Sequence, residues 1–326
     1  MSDSVSSRRV SAVASFASRW AAAWDQFWFR ACDPATLGVI RICTGCLVFY
    51  AHLVWALQWS TFFGEHGLVP DRYRRLLFGD SGDYAWSVFD VANSSPAVWV
   101  VHGLGLVIVL LFMLGRWTRT TAMLTAIMTI SYANRATGAL FGLDQILVFL
   151  CLYLAIGNSG GAFSLDSCYQ RRSGEAGQGR VVGDVWTNIA MRLIQLHLCV
   201  VYLFAGLGKL NGDTWWNGQA IWFSIASYEY QTVDLTWLAN HMWLVNLLTL
   251  MTIIWEVSYA ALIWPRLTRP IVLMLAVLTH LGIGFCMGMM TFGLVMLVAN
   301  LAFIEPTFIR NCWDQFRIGR AKESKA

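Results

Sequence analysis

Charged side chains are scarce in this sequence. Asp, Glu, Lys and Arg make up 13% of its 326 residues, against roughly 25% in soluble domains, whereas apolar residues make up 57%. A single soluble core could not bury so many apolar side chains, but a bilayer accepts an apolar exterior and requires helices of about 20 residues. The composition therefore excludes an ordinary soluble domain and indicates an all-α, polytopic integral membrane protein.

Several other signals are missing. The basic residues, which give a net charge of +4, are spread over the loops rather than gathered in one tract, so nothing indicates binding to nucleic acid. The eight cysteines lack the paired spacing of a disulfide scaffold. Cys43 and Cys46 lie inside an apolar run, where we interpret them as small helix residues. Arg19 interrupts the N-terminal apolar stretch, which excludes a signal peptide.

Eight apolar segments approach the length needed to span a membrane. Before them, residues 1–9 are Ser-rich and predicted to be disordered, and apolar residues then recur at helical spacing up to Phe27, which predicts an interfacial helix. We divide the chain into a tail with this helix (1–32), a transmembrane domain (33–310) and a basic tail (311–326). The predicted spans are 35–57, 97–115, 118–134, 140–157, 187–209, 238–264, 270–288 and 290–305.

The distribution of Lys and Arg predicts the topology, because positively charged loops stay in the cytoplasm. With both termini inside, the cytoplasmic segments contain 16 Lys and Arg residues. The opposite side contains only four, which are Arg72, Arg74, Arg75 and Arg135. Eight spans in an N-in, C-in orientation are therefore the preferred arrangement.

The predicted outer segment 210–237, which we name the roof, contains four tryptophans and no Lys or Arg. Such a density of tryptophan is typical of segments that lie along the membrane interface. We expect the roof to cover the helix bundle and to form a lid over an outward-facing cavity. Its tryptophans are Trp215, Trp216, Trp222 and Trp237.

Ionisable residues inside spans are candidates for function, because placing them in a membrane is unfavourable. Arg41 and Arg192 lie near inner helix ends, which predicts anchoring to lipid phosphates or an internal salt bridge. For Glu256 we favour a pair with Arg192 over a proton relay. The histidines lie singly on four helices without metal-ligand spacing, so we favour interhelical hydrogen bonds, with proton transfer next, and predict no metal site. The other members of the set are His52, His102, Asp144, His197, Lys209 and His280.

Lys209 ends the fifth predicted span, in a stretch where Ala205, Gly206 and Gly208 would permit another helix to pack closely. Its ammonium is expected near the outer interface, and two interpretations are open. A lysine at a helix end commonly extends to the interface as an anchor. A lysine partly desolvated beneath the roof would favour its neutral form and could act as a base. Lys209 is the only lysine before residue 322 and the roof follows it directly, which favours the second interpretation.

The stretch 195–210, QLHLCVVYLFAGLGKL, followed by Trp-Trp-Asn-Gly at 215–218, resembles the signature of the horizontally transferred transmembrane (HTTM) family. The best-known members of that family are the vitamin K-dependent gamma-glutamyl carboxylases. Further stretches resemble other parts of the family in the same order, so that the resemblance covers roughly residues 33–310. They are 33–41, 62–70, 256–270 and 279–288.

The resemblance implies an activity. In those carboxylases the matching lysine deprotonates reduced vitamin K, oxygen adds, and the resulting strong base removes a proton from glutamate, which then takes up carbon dioxide. Lys209 would accordingly be the catalytic base and His280 a second catalytic residue, with a reduced, vitamin K hydroquinone-like quinone as cofactor. The residues implied to surround the cofactor are Asn134, Arg135, Tyr202, Trp215 and Trp216.

Two differences from the carboxylases leave the substrate open. Arg135 occupies the position of a functional histidine, and no large extracytoplasmic domain follows the eighth span. We expect a bacterial inner-membrane protein whose active side is extracytoplasmic and which modifies a secreted peptide or a small substrate. The alternative is a non-catalytic membrane protein, either a maturation or export partner for a secreted peptide or a small-molecule binder or transporter. Membrane lipid is an expected partner in both cases.

Overall fold

The computed structural model describes residues 2–62, 85–92, 95–173 and 183–323, and no β-strand occurs within these ranges. The resembling residues 63–70 lie outside them, as do Arg72, Arg74, Arg75 and Arg180. Short 3-10 helices span Val88–Val91, Thr137–Ala139, Thr236–His241 and Leu301–Phe303. The α-helices are α1 (Ser2–Phe29), α2 (Ala35–Leu57), α3 (Trp59–Phe62), α4 (Ser95–Leu114), α5 (Thr118–Arg135), α6 (Gly142–Ile156), α7 (Leu165–Arg172), α8 (Val185–Lys209), α9 (Asp213–Trp216), α10 (Ala220–Ile225), α11 (Met242–Leu262), α12 (Arg269–Cys286), α13 (Met290–Asn300) and α14 (Pro306–Glu323).

The helices pack into a bundle around α8. This helix packs most extensively against α11 and also contacts α1, α6 and α13, while α5 packs on α6, α12 on α13 and α2 on α4. One large buried apolar cluster joins these helices, and Leu37, Leu147, Ile194, Val272 and Met296 belong to it. The predicted all-α membrane bundle is confirmed.

Helix boundaries follow from local sequence. α8 begins after Asp184, whose carboxylate accepts a hydrogen bond from the backbone N–H of Thr187 at 2.8 Å, the usual arrangement of an N-cap residue. Pro270 lies in the first turn of α12, where its missing N–H leaves no helical hydrogen bond unmade. α6 ends at the glycine-rich turn that begins with Gly157.

Each of the eight predicted spans contains a helix. Five helices are long and apolar enough to cross a membrane: α2, α4, α8, α12, and α11 together with the 3-10 turn before it. A sixth crossing results if α13 and α14, which meet at 109°, form one span. α5 is rich in threonine and α6 has only 15 residues, so neither meets the same test. The number eight and the orientation remain predictions.

α1 begins at Ser2 and thus includes the stretch for which the sequence predicts disorder. Farther along, the amide of Asn188 donates to the backbone carbonyl of Phe27 at 2.7 Å and ties α1 to α8. Trp20 and Trp24 stack with their centroids 5.5 Å apart and remain largely exposed. This exposure suits an interfacial helix, and the three-part division of the chain remains a prediction.

Arg41 is fully buried, although the sequence predicts lipid anchoring or a salt bridge. Its guanidinium donates to the backbone carbonyls of Ser159 at 2.6 Å, Phe163 at 2.6 Å and Ala162 at 3.4 Å. These carbonyls belong to the turn between α6 and α7, where no helix supplies hydrogen-bond donors. The expectation for Arg41 is therefore wrong, because the turn offers the guanidinium a set of acceptors inside the protein.

Candidate functional site

Gly206 brings α8 and α11 close together. A Cβ at this position would lie 2.8 Å from Cγ2 and 3.0 Å from the backbone nitrogen of Val257, so any side chain would push the two helices apart. Gly208, predicted to share this role, faces open space, with no atom within 4 Å of an added Cβ. The close approach at Gly206 places the end of α8 beside Glu256.

Lys209 and Glu256 form an ion pair. The Nζ of Lys209 donates to Oε2 of Glu256 at 2.6 Å, and the two side chains are 23% and 10% exposed. The predicted pair of Glu256 with Arg192 is wrong, because Arg192 lies about 25 Å from Lys209 along the axis of α8. Arg192 instead donates to the carbonyl of Phe27 at 3.1 Å and to Oε1 of Gln195 at 2.8 Å.

The ion pair lies beside the middle of α11 rather than at its end. Glu256 follows Met242, the first residue of α11, by about 21 Å along the helix axis. The roof helices α9 and α10 pack against α11. Of the roof, Trp215 contacts Lys209 directly, and the predicted position of this lysine near the outer interface stays a prediction.

Trp215 connects the ion pair to a cavity. The Nζ of Lys209 lies 5.2 Å from the centroid of the Trp215 ring, a distance typical of cation–π contacts. The same tryptophan lines an open cavity of about 290 Å³, close to the lower limit of roughly 300 Å³ for small-molecule sites. None of the lining residues is charged: they are Thr214, Trp215, Ala220, Phe223, Ser224, Ser227, Tyr230 and Met287. Trp216 is not among them, since it is 65% exposed and its Nε1 donates to the carbonyl of Leu210 at 2.7 Å.

Two contacts hold the roof on the bundle. Gly218 has a φ of +78°, and a Cβ there would lie 2.9 Å from Cγ of Asn246 on α11. The hydroxyl of Thr232 donates to the backbone carbonyl of Phe285 at 2.7 Å. The backbone N–H of Thr232 donates to the carbonyl of Cys286 at 3.3 Å, at the end of α12. The roof is therefore fixed to both α11 and α12.

A second polar group lies two helical turns below Lys209. The hydroxyl of Tyr202 lies 2.6 Å from Nε2 of His280, and it also accepts a hydrogen bond from the amide of Asn300 at 3.1 Å. Oδ1 of Asn300 in turn accepts from the hydroxyl of Tyr259 at 2.7 Å. We name Tyr202, Tyr259, His280 and Asn300 the tyrosine network. All four are at most 4% exposed.

Asn134, which the resemblance places around the cofactor, contacts a different part of the structure. The amide of Asn134 donates to the backbone carbonyl of Trp86 at 2.8 Å. Arg135 follows it on α5 and is buried, and α5 packs mainly on α4 and α6. The geometry thus groups Lys209 with Trp215, and Tyr202 with His280, while Asn134 bonds to the segment 85–92. The roles predicted for all seven residues remain predictions.

Three of the four single histidines make the predicted interhelical hydrogen bonds. Nδ1 of His197 bonds to the hydroxyl of Tyr153 at 2.8 Å, Nδ1 of His102 bonds to the hydroxyl of Tyr132, and the third is the histidine of the tyrosine network. His52 differs, since neither of its ring nitrogens has a hydrogen-bond partner within the described part of the chain. Its ring packs on that of Tyr132, with a centroid distance of 4.2 Å. For His52 the prediction is wrong, because the ring makes an aromatic contact instead.

The acidic and metal-binding side chains of the described ranges form no second candidate site. No cluster of three or more His, Cys, Asp or Glu side chains there could hold a metal ion. Asp144 accepts a hydrogen bond from the N–H of Phe141 at 3.1 Å in the first turn of α6, where the helix dipole stabilises a carboxylate.

Comparison with known proteins gives one match. The family model described as the HTTM domain matches residues 29–308, nearly the whole chain. No curated protein and no solved structure matches the chain.

Proposed function

The chain belongs to the HTTM family, and we propose that it is a membrane enzyme in which Lys209 is the general base for a reaction of a reduced quinone with oxygen. HTTM domains are associated with vitamin K-dependent carboxylase-like membrane proteins. The observation that carries the proposal is the ion pair of Lys209 with Glu256, covered by the roof and joined by Trp215 to a cavity.

Glu256 gives Lys209 a way to become a base. As an ammonium, Nζ has no lone pair that could accept a proton. Transfer of one proton from Nζ to Oε2 along their 2.6 Å hydrogen bond leaves a neutral amine beside a neutral carboxylic acid. A poorly solvated environment favours this neutral pair over two separated charges. The amine can then take up a proton from a bound ligand.

The cavity beside Trp215 fits the ring of a quinone. Trp215, Phe223 and Tyr230 provide aromatic walls, and the hydroxyls of Ser224 and Ser227 provide hydrogen-bond partners for ring oxygens. The lack of charged lining residues suits a neutral ligand. When bound, a reduced quinone would supply an acidic ring hydroxyl and the electrons that reduce oxygen.

Each residue then has a defined task. Trp215 holds the cavity against the ion pair and stabilises the ammonium form of Lys209 through its ring face. Lys209 removes the proton from the ring hydroxyl and becomes an ammonium, whose charge balances that of the ring oxyanion, while Glu256 keeps the proton that it took from Lys209. The roof limits access of water to this proton transfer.

The proposal extends to location and substrate. We place the roof and the cavity on the extracytoplasmic side of a bacterial inner membrane, which follows from the distribution of Lys and Arg. There the reaction would act on a secreted peptide or a small molecule. Carboxylation of glutamate is one form of this activity.

Oxygen uptake tests the base. Purified protein is mixed with 2-methyl-1,4-naphthohydroquinone, and oxygen consumption above the autoxidation rate in detergent alone is recorded. Lys209→Met should lower this rate at least about 100-fold, the smaller end of the usual contribution of a general base. Glu256→Gln should also lower it, because glutamine cannot accept the proton of Lys209.

Arg266→Gln is the matched control, since this arginine is 90% exposed and its ion pair with Glu305 is 4.0 Å long. Its rate should equal that of the wild type. Oxygen consumption by Lys209→Met at the wild-type rate would contradict the role of Lys209 as general base. If the wild-type protein binds the naphthohydroquinone but consumes no oxygen, the proposal of an enzyme is overturned and the protein is a small-molecule binder.

A further inference from the structure

We infer that Asn300 and Tyr259 are positioning residues that hold His280 neutral with its proton on Nδ1, so that this N–H donates to an oxygen atom of a bound quinone ring. The inference rests on the proposed function for the identity of the ligand. The state of His280 itself follows from the direction of each hydrogen bond in the tyrosine network.

The orientation of Asn300 is fixed by an acceptor that has no proton to give. Its Nδ2 lies 2.9 Å from the backbone carbonyl of Met296, and only the amide NH₂ can donate there. Oδ1 therefore faces Tyr259, whose hydroxyl must be the donor in the 2.7 Å contact. The two ends of the Asn300 amide are thus assigned without ambiguity.

The orientation of Asn300 determines the direction of the bond made by Tyr202. Nδ2 of Asn300 also donates to the hydroxyl oxygen of Tyr202 at 3.1 Å, so this neighbour cannot accept the hydroxyl proton. Nε2 of His280, at 2.6 Å, is the one acceptor near the hydroxyl in the described structure. Because a buried hydroxyl without an acceptor is unfavourable, Tyr202 donates to Nε2.

A neutral imidazole that accepts at Nε2 carries its proton on Nδ1. Nδ1 of His280 is buried and has no hydrogen-bond partner among the described residues, and His280 is only 4% exposed. A buried donor of this kind is poorly satisfied until an acceptor arrives. The network therefore prepares a donor and leaves its acceptor position to a ligand.

The position of this donor suits the same ligand as Lys209. Tyr202 and Lys209 are two turns apart on one face of α8, about 10 Å along the axis. Trp255, the neighbour of Glu256, packs with its ring centroid 5.0 Å from that of Tyr202 and 6.4 Å from that of His280. Neither Lys209 nor His280 lines the cavity beside Trp215, so a ring with oxygens at opposite ends must extend from that cavity past Trp255 to present one oxygen to Lys209 and one to Nδ1 of His280.

Nitrogen NMR measures the tautomer directly. Protein labelled with ¹⁵N-histidine contains six histidines, and the signal absent from His280→Gln identifies His280. Wild type should show a protonated Nδ1 and an unprotonated Nε2. Tyr202→Phe, which removes the donor to Nε2, should convert His280 to a mixture of tautomers, and Asn300→Leu should do so in part, because the Tyr202 hydroxyl becomes free to turn.

Tyr153→Phe is the matched control, since it removes the analogous hydroxyl from His197. It should change the His197 signals and leave those of His280 unchanged. A wild-type His280 with its proton on Nε2 would overturn the inference, as would a His280 tautomer that is identical in wild type, Tyr202→Phe and Asn300→Leu.

Addition of 2-methyl-1,4-naphthoquinone tests the ligand. The Nδ1 proton of His280 should move to lower field in the wild type, and by less in Tyr202→Phe. No movement in the wild type would overturn the donor role. The outcome is separable from that of the proposed function. If Lys209→Met loses oxygen uptake but the proton of His280 lies on Nε2, only this inference is refuted. If Lys209→Met keeps its oxygen uptake and the proton of His280 lies on Nδ1, only the role of Lys209 as general base is refuted.

Discussion

Gly206 of α8 lies so close to Val257 of α11 that a Cβ at position 206 would be 2.8 Å from Cγ2 and 3.0 Å from the backbone nitrogen of Val257. A side chain could swing away, but the backbone nitrogen can move only with α11. Glu256, the preceding residue, would move with it. The ion pair of Lys209 and Glu256 thus depends on the absence of a side chain at position 206.

Gly206→Ala should lower stability and weaken the ion pair. Overpacking of this kind typically costs about 1–3 kcal/mol, and oxygen uptake should fall because Glu256 is displaced. Gly208→Ala is the control, because an added Cβ meets nothing within 4 Å and alanine favours a helix by up to about 1 kcal/mol. Thermal unfolding in detergent, together with the uptake assay, compares the two. Equal unfolding temperatures would contradict a tight contact at position 206.

The sidedness of the roof can be measured with a cysteine. Ser227 lines the cavity, and in Ser227→Cys the new thiol should react with a membrane-impermeant maleimide in intact cells. Cys168, which is exposed on α7 at the opposite end of the bundle, should react only after the cells are made permeable. Labelling of the two positions in the reverse order would overturn the predicted orientation.

His52→Leu should leave stability unchanged or raise it. Neither ring nitrogen of His52 has a hydrogen-bond partner, and replacement of an unpartnered buried polar group by an apolar one is close to neutral or favourable. His102→Leu is the comparison, because this change breaks a buried bond to Tyr132 and should cost roughly 1–3 kcal/mol. Thermal unfolding of both variants decides. Equal losses would show that His52 has a bonded partner.

The ion pair of Asp33 and Arg310 should make the stability of the protein depend on pH in the acidic range. Burial alone would raise the pKa of Asp33, but hydrogen bonds from Arg310 at 2.6 and 2.7 Å and from the N–H of Ala35 outweigh it, so the pKa lies below its usual range. A carboxyl whose pKa is lowered by folding stabilises the protein above its unfolded pKa of about 3.9, and this contribution is lost as the pH falls through the folded pKa.

Asp33→Asn should therefore be less stable than wild type at pH 7, by roughly 1–2 kcal/mol, and the difference should shrink as the pH falls below the unfolded pKa of about 3.9. Unfolding temperatures in detergent between pH 7 and pH 3 provide the measurement. Glu305→Gln is the control, since the pair of Glu305 with Arg266 is exposed and 4.0 Å long and such pairs contribute little. A constant difference between Asp33→Asn and wild type at every pH would contradict the assignment.

The sequence predicts individual residues of the site better than their partners. Lys209, Gly206 and Trp215 stand out because a lone lysine, a small residue and a tryptophan have distinct physical roles at a helix end. The partner of Lys209 could not be predicted, since hydrophobic periodicity gives the buried face of α8 and of α11 but not their relative height. That height depends on the contact between Gly206 and Val257.

Two members of the tyrosine network, Tyr259 and Asn300, were not predicted, for a different reason. Asn300 and Tyr259 are neutral, and a search for ionisable residues in spans passes over them. Asn300 nevertheless gives a signal, as an amide in an otherwise apolar helix needs partners inside the bundle. For Asn134, order along the chain suggests a shared site with Lys209, but its amide bonds to the segment 85–92.

The burial of Arg41 has a consequence for biogenesis. Its three carbonyl acceptors belong to residues 118 to 122 positions later in the chain, so they do not yet exist when α2 leaves the ribosome. During insertion the guanidinium must stay near lipid headgroups or water, because a charge without partners is unfavourable in the bilayer. The buried contacts of Arg41 therefore form only after the turn before α7 has been synthesised.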